Sequence, residues 1–119
     1  MNTVDIAIPN YNQARFLPSA VQSVLAQGID DIRILIIDNC STDNSLEVAE
    51  ELAERDGRIS LVRHTQNVGA IASFNEAIDW ASATFFTILA ADDQLADGSL
   101  RRSLAVMEAN PAAAFAYGR

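Results

Sequence analysis

Short apolar runs and helix-spaced segments take turns along this chain, and that alternation limits its fold more than any other feature. Val4 to Ile8 is the first apolar run, and Pro9-Asn10-Tyr11-Asn12 stops it. Leu17 to Gln27 then sets Leu17, Ala20, Val21, Val24 and Leu25 on one helical face, with Gly28 as the stop. Ile32 to Ile37 is nearly all apolar, as a strand buried on both faces must be. A second helix is expected from about Asn44 to Arg55, with Leu46, Val48, Ala49 and Leu52 as its apolar contacts. Ser41 or Thr42 is expected to cap it, the Asp43 carboxylate suits its N-terminus, and Gly57 should close it. Ile59 to Arg63 is a third strand, Gly69 to Ala81 a third helix and Phe85 to Leu89 a fourth strand. Asp97 is expected to cap a fourth helix reaching about Asn110; after Pro111, the apolar run Ala112 to Tyr117 reads as a fifth strand.

Strands and helices joined by short links predict an α/β fold: a Rossmann-like, open, mainly parallel sheet with helices on both faces. Residues 1–119 suit one domain of this kind. Ligands in such sheets bind beyond the carboxyl ends of the strands, near a topological switch point. Chemistry is therefore to be sought where the strands end.

Composition narrows the ligand. The chain is 50% hydrophobic and 20% charged, within the globular range. Eight basic residues, all arginine, stand against sixteen acidic ones, giving a net charge of -8. Nucleic acid and anionic membrane surfaces are poor partners for such a chain. A small anion would need a metal or a helix N-terminus to offset the repulsion. The single cysteine, Cys40, can form no internal disulfide, which fits a cytoplasmic setting. No signal-peptide pattern follows Met1, and the longest apolar runs, about nine residues, are too short to span a bilayer.

Three strand ends carry polar clusters. Past the first strand, the Tyr11 ring could stack on a flat base while the Asn10 and Asn12 amides meet its edge; turn chemistry alone would also account for this cluster. Past the second lies Asp38-Asn39-Cys40-Ser41-Thr42-Asp43. Helix capping explains the later residues, but Asp38 stands too early to cap and could accept from the ring N–H of a pyrimidine. Cys40, with no second cysteine or neighbouring histidine, reads as a small packing residue. Past the fourth strand lies Ala90-Ala91-Asp92-Asp93-Gln94. Two adjacent carboxylates repel unless a cation or hydrogen bonds compensate. Mg²⁺ or Mn²⁺ is the natural compensator, since such ions take carboxylate and phosphate oxygens together. A solvated turn is the plainer alternative.

Other residues read as structural. His64 is the only histidine and lies near a strand end; Trp80 falls at core spacing; Glu50, Glu51 and Glu54 form a solvated helix face. Arg15, Arg63 and Arg102 could each reach a diphosphate, and the sequence does not choose among them.

Taken in order, these segments resemble family 2 glycosyltransferases. Val4-Asp5-Ile6-Ala7-Ile8-Pro9-Asn10-Tyr11-Asn12 is similar to the family's opening strand, and Ser23-Val24-Leu25-Ala26-Gln27 to the end of its first helix. Ile36-Ile37-Asp38-Asn39-Cys40-Ser41-Thr42-Asp43 resembles its second strand and acidic turn. Asn67-Val68-Gly69, with Asn75 and Ala81 downstream, resembles the next block, and Leu89-Ala90-Ala91-Asp92-Asp93 its metal-binding block. The likeness runs over essentially the whole chain.

The resemblance implies the nucleotide-binding half of a GT-A fold, cut before the acceptor-binding part. It implies inverting transfer of a sugar from a nucleotide diphosphate sugar to the hydroxyl of a saccharide or lipid-linked acceptor, as in cell-envelope polysaccharide biosynthesis. A UDP-sugar is favoured, with TDP- or GDP-sugars possible. Carried over by position, Pro9 and Tyr11 would line the base, Asn12, Asn39 and Asn67 would belong to the nucleotide site, and Asp38 would hold the base's ring N–H. Asp92 would approach the ribose, diphosphate or metal, and Asp93 would be the more direct ligand of a divalent cation, Mn²⁺ or Mg²⁺.

Two departures bear on this. Ala90 stands where many members place the first acid of an Asp-x-Asp motif, and Asn39 stands where many have a second acid. The family's general base lies well downstream, so it is expected beyond Arg119 and the fragment alone is expected to be inactive. A non-catalytic nucleotide-binding or scaffold module is the alternative. A truncated sheet could also pair as a homodimer. A phospho-acceptor receiver domain is excluded by the missing acidic pair after the first strand and the absence of lysine. Dinucleotide binding is disfavoured because no G-x-G-x-x-G follows that strand.

Overall fold

The computed structural model describes residues 3–117. The elements run β1 (Val4–Asn10), α1 (Leu17–Leu25), β2 (Ile32–Asp38), α2 (Ser45–Arg55), β3 (Ile59–Arg63), α3 (Ala70–Trp80), β4 (Phe85–Ile88) and α4 (Ser99–Ala109). Among the described residues, four strands form one sheet in the order β3-β2-β1-β4, and every pairing is parallel. The expected α/β architecture is therefore present.

Strand alternation divides the core into two layers. Val4, Ile6 and Ile8 of β1 and Ile32, Ile34 and Ile36 of β2 pack with Leu17, Ala20, Val21 and Val24 of α1, Ala49 of α2 and Leu100 of α4. Ala7, Leu35 and Ile37 face the other way, against Ala77 and Trp80 of α3. Each fully buried aliphatic side chain contributes about 1.5–3 kcal/mol, so this double-sided packing is what holds the sheet. The α1 face matches the predicted one, and Glu50, Glu51 and Glu54 are exposed as expected.

The N-terminal edge of the sheet holds a buried charge. Asp5, 0% exposed, accepts from Arg33 Nε at 2.8 Å and Nη2 at 2.6 Å, and from the backbone N–H groups of Ser82 and Ala83 at 2.8 and 2.9 Å. Burial raises its pKa, but these bonds and the Arg33 charge outweigh that and leave it lowered. Arg33 also lies 4.4 Å over the Trp80 ring, so Trp80, expected as simple core, is a half-buried platform for a cation.

Several local expectations are corrected. β1 continues through Pro9 to Asn10 instead of stopping at Ile8. The odd residues of β1 address β4, as the Leu89 N–H to Ala7 carbonyl bond shows, and that ladder ends at the Ala7–Ile88 pair. The amide hydrogen that Pro9 lacks thus falls where no partner strand remains. Ser41 and Thr42 do not cap α2; Asp43 does that work, its Oδ1 accepting from Ser45 N at 2.9 Å. Gly57 does not close α2 through a left-handed turn: Asp56, in extended conformation, ends the helix and accepts from the Arg58 backbone N–H at 2.9 Å. Asp97 does not cap α4. Its first turn is held instead by Gln27 of the α1 end, whose Oε1 accepts from Leu100 N at 3.0 Å. Finally, residues 112–117 form no strand; Phe115 and Tyr117 are exposed. An apolar run becomes a strand only where an edge pairs with it, and none does so here.

Candidate functional site

The sheet order places a switch point between β1 and β4: β1 connects outward to β2 and β3, and β4 then returns to the other side of β1. Register brings the strand ends level, with Asn10 opposite Asp38 and Asp38 opposite Arg63. Beyond these ends opens a cleft of about 550 Å³. Pro9, Asn10 and Tyr11 reach it from β1, Asn39 from β2, Asn67 and Phe74 from the start of α3 and the turn before it, and Ala90 and Asp93 from the turn after β4. Five of the eight residues expected at the site therefore line one cleft: Pro9, Tyr11, Asn39, Asn67 and Asp93. Asp38, Asn12 and Asp92 do not line it.

Asp38 is turned inward and is 2% exposed. Its Oδ1 accepts from Asn10 Nδ2 at 3.0 Å and Ser41 Oγ at 2.7 Å, and its Oδ2 accepts from Ser41 N at 3.1 Å. Three donors thus occupy the carboxylate expected to meet a base. Asn12 is a clasp between two loops: Oδ1 accepts from Thr42 N at 2.7 Å and Asp43 N at 3.2 Å, and its own N–H goes to Ser41 Oγ at 3.0 Å. It takes a left-handed φ of 54° to do so, a conformation asparagine tolerates better than most residues. Asp43 also accepts from Ala14 N at 3.1 Å. Burial raises the Asp43 pKa, yet the hydrogen bonds from Ser45 and Ala14 leave it lowered.

The Asn10 amide, expected with that of Asn12 to meet the edge of a base, is 2% exposed and lines the cleft, and its Oδ1 has no partner. Its nitrogen is committed to Asp38, so an unsatisfied acceptor is held at the cleft wall. The signal was present in its position at the end of β1, but its orientation depends on Asp38, 28 residues away. Ala70, Ser73 and Phe74, which sequence reasoning did not single out for the site, line the cleft from one side of α3, at the spacing that one helical face allows.

Asn39 and Asn67 are joined, Nδ2 of Asn39 donating to Oδ1 of Asn67 at 3.0 Å. Asn67 Oδ1 also accepts from Gly69 N at 2.9 Å. Gly69 sits at φ 86° and ψ 163°, a region open in practice only to glycine, and it is the residue from which α3 starts beside the cleft. The Tyr11 ring is 45% exposed and free to stack.

Asp93 is exposed, and its N–H caps the turn onto the Ala90 carbonyl at 3.0 Å. Its carboxylate and that of Asp92 have no protein partner among the described residues. Hard carboxylate oxygens, one at the cleft wall and one on the adjacent residue outside it, fit Mg²⁺ or Mn²⁺ in kind, with the remaining positions left to phosphate oxygens and water. No cluster of three His, Cys, Asp or Glu side chains exists among the described residues, and Ala90 lines the cleft where a third acid would strengthen the site. Arg15, Arg63 and Arg102 do not line it; Arg15 stacks on Phe16, and Arg102 donates to the Asp97 carbonyl.

The strand ends thus frame a cleft at the switch point of an open α/β sheet, where amide and carboxylate groups stand beside Tyr11, Phe74 and Ile88. The chain belongs to glycosyl transferase family 2, whose model matches residues 5–119. It is 30% identical over 87% of its length to the putative teichuronic acid biosynthesis glycosyltransferase TuaG of Bacillus subtilis. Its fold matches S. aureus TarS, solved alone and in complex with UDP and with UDP-GlcNAc, at 20% identity and a TM-score of 0.82 over 92% of the chain. It also matches the Pyrobaculum calidifontis mannosyltransferase PcManGT in complex with GDP-Man and Mn²⁺, at 21% identity and a TM-score of 0.79 over 87% of the chain. The chain spans 41% of TuaG, 33% of the TarS chain and 32% of PcManGT. No helix among the described residues is long and apolar enough to cross a membrane.

Proposed function

We propose that this chain binds the nucleotide diphosphate of a sugar donor in the cleft between β1 and β4, as the donor-binding part of an inverting glycosyltransferase. The observation that carries this reading is the convergence of Tyr11, Asn10, Asn39, Asn67 and Asp93 on one cleft at the switch point of a family 2 chain. The Tyr11 ring stacks on the base, with Pro9 beneath its edge. Asn10 Oδ1 accepts from a ring N–H, and the free amide hydrogens of Asn39 and Asn67 meet base oxygens. Asp38 acts through Asn10, fixing which way its amide points. Asn12 acts through the loops, holding the β1 and β2 ends together.

Asp93, with Asp92 beside it, holds a divalent cation, which supplies positive charge for a diphosphate leaving group. The transfer itself joins an acceptor hydroxyl oxygen to the anomeric carbon as the bond to the diphosphate breaks, and a base takes the hydroxyl proton. Among the described residues Asp93 is the only carboxylate lining the cleft, and this reading commits it to the cation. The chain alone is therefore expected to bind nucleotide without appreciable transfer. UDP is the favoured nucleotide, supported by the TarS complexes, with GDP supported by PcManGT and TDP also possible. A saccharide or lipid-linked acceptor in cell-envelope synthesis is supported by the likeness to TuaG, and a cytoplasmic location by the single cysteine.

The presence of Ala90 in the cleft favours a second reading, in which the fold binds nucleotide without a metal and serves as a scaffold. Calorimetric titration of UDP with and without Mn²⁺, into the wild type and Asp93→Ala, separates the two. Binding that requires Mn²⁺ and is lost in the variant supports the transferase reading. Equal binding with and without Mn²⁺ supports the scaffold. Absence of UDP, TDP and GDP binding to the folded chain overturns both.

A further inference from the structure

The cleft residue Asn39 is held from behind by a histidine and a glutamate that play no part in the reading above. Asn39 Oδ1 accepts from Val68 N at 2.9 Å, while its Nδ2 donates to Asn67 Oδ1 at 3.0 Å, an oxygen that Gly69 N also addresses. These backbone donors fix the amide: flipped, it would set Nδ2 against the Val68 N–H and oxygen against oxygen at Asn67. The His64 ring contacts the same Asn39 Oδ1 through Nδ1 at 3.1 Å, so Nδ1 must donate. On its other side Nε2 lies 2.6 Å from Glu76 Oε2 on α3. Both ring nitrogens thus face oxygen acceptors. Donation from both nitrogens at once would take one proton more than a neutral imidazole beside a carboxylate supplies, whichever partner carried it.

We propose that His64 and Glu76 form a proton-dependent latch that positions Asn39, holding its oxygen inward and its remaining amide hydrogen toward the cleft, where a nucleobase acceptor atom meets it. When the extra proton leaves, a neutral ring can satisfy only one neighbour. Either a bare Nδ1 faces the Asn39 oxygen, or a bare Nε2 faces the Glu76 carboxylate. The hold on Asn39 loosens in both cases. Glu76 is the charged side chain in contact with the ring. Of the other ionisable groups nearby, Asp79 shares α3 with Glu76, Arg63 adjoins His64 on β3, the Asp38 carboxylate is engaged by Asn10 and Ser41, and Asp93 lies on the β4 side of the cleft. The latch makes His64 and Glu76 positioning residues for base recognition, and this consequence rests on the nucleotide-binding reading of the cleft.

Two measurements test it. Because His64 is the only histidine, ¹⁵N labelling of histidine reports its ring without ambiguity. Without ligand, both ring nitrogens are expected to carry protons near pH 6, and loss of one as pH rises is expected to shift the Asn39 side-chain amide signals. A ring whose Nδ1 stays unprotonated throughout, or Asn39 signals indifferent to its titration, overturns the latch even if UDP binds well. In the second measurement UDP is titrated with Mg²⁺ near pH 6 and pH 9. Wild-type affinity is expected to fall about five- to tenfold between them, the worth of one hydrogen bond. Glu76→Gln should lose this step and keep only what the nucleotide's own titration imposes, because its amide can donate to a neutral Nε2 while Nδ1–H still serves Asn39. That variant also controls for titration of the nucleotide itself. His64→Phe should bind at the lower wild-type level at both. Survival of the full pH step in Glu76→Gln overturns the latch. Failure of UDP to bind the wild type at either pH counts against the nucleotide reading, and the ligand-free spectra then decide the latch alone.

Discussion

The ends of β1 and β2 and the end of β4 carry the same kinds of side chain in opposite states. At the first, Asn10, Asn12, Asp38, Ser41 and Asp43 bond one another and the loop backbones, most of these bonds crossing 28 to 31 residues of sequence. At the second, Asp92 and Asp93 stand exposed with no protein partner among the described residues. One region satisfies its polar groups within the protein; the other leaves two adjacent like charges in solvent. The difference teaches that a carboxylate at a strand end is not a contact by virtue of its position. Asp38 has used its oxygens to build the wall, and the unpartnered acceptor among these residues is the buried Oδ1 of Asn10.

The sharpest way to break this comparison is to remove one carboxylate from each region and measure stability by urea unfolding. Asp38→Ala leaves the buried Asn10 amide and the Ser41 N–H without their acceptor, and is expected to cost about 2–4 kcal/mol. Asp93→Ala removes an exposed charge from beside another and should change stability by less than about 0.5 kcal/mol in either direction. If the two losses are equal, the distinction between a built wall and an open ligand site fails.

Acid sharpens it next. Asp5, Asp43 and Asp56 all have lowered pKa values, Asp56 to about 2 chiefly through its hydrogen bond from the Arg58 side chain. A carboxylate depressed on folding contributes stability that is complete above its unfolded pKa, near 4, and is lost as pH falls through the folded value. The unfolding midpoint should therefore hold steady above about pH 5 and fall between about pH 4 and 2. Asp43→Asn should be less stable at neutral pH and lose less on acidification, because its contribution is already gone. A flat profile through this range would show that the hydrogen bonds to Asp5, Asp43 and Asp56 do not persist in solution.

What could be read from sequence follows the range of the forces involved. All four strands and all four helices were legible because hydrophobic periodicity is local, and the α1 face matched the expected one. The carboxyl ends were legible as locations because parallel α/β sheets always place them together. The roles within them were not. Asp38 points at Asn10, His64 reaches Asn39 and Gln27 holds α4, and each pairing spans 25 or more residues and is set by register and packing. Asp97 looked like a cap because it precedes a helix, but Gly98, left-handed at φ 72°, is the residue that starts the helix. Ala112 to Tyr117 looked like a strand because it is apolar, and composition cannot say whether an edge will pair with it.

Cys40 offers the smallest and most local test. It lies between Asn39 and Ser41 with φ at 61°, a left-handed conformation that an L side chain adopts at a cost of about 1–2 kcal/mol. The loop bonds on either side hold it there: Asn39 N to the Asn10 carbonyl at 3.0 Å and Ser41 N to Asp38 at 3.1 Å. Glycine would remove the steric cost but add about 0.5–1 kcal/mol of unfolded-chain entropy. Cys40→Gly should therefore raise stability by about 0.5 kcal/mol and leave UDP affinity unchanged, since Cys40 does not line the cleft. Gly69→Ala should do the reverse. Its φ of 86° and ψ of 163° exclude a β-carbon, and the strain falls where Asn67 and α3 meet the cleft, so stability and affinity should drop together. If Cys40→Gly weakens UDP binding instead, the loop joining β2 to α2 is itself part of the ligand site, and the boundary between scaffold and site drawn at Asp38 must move outward.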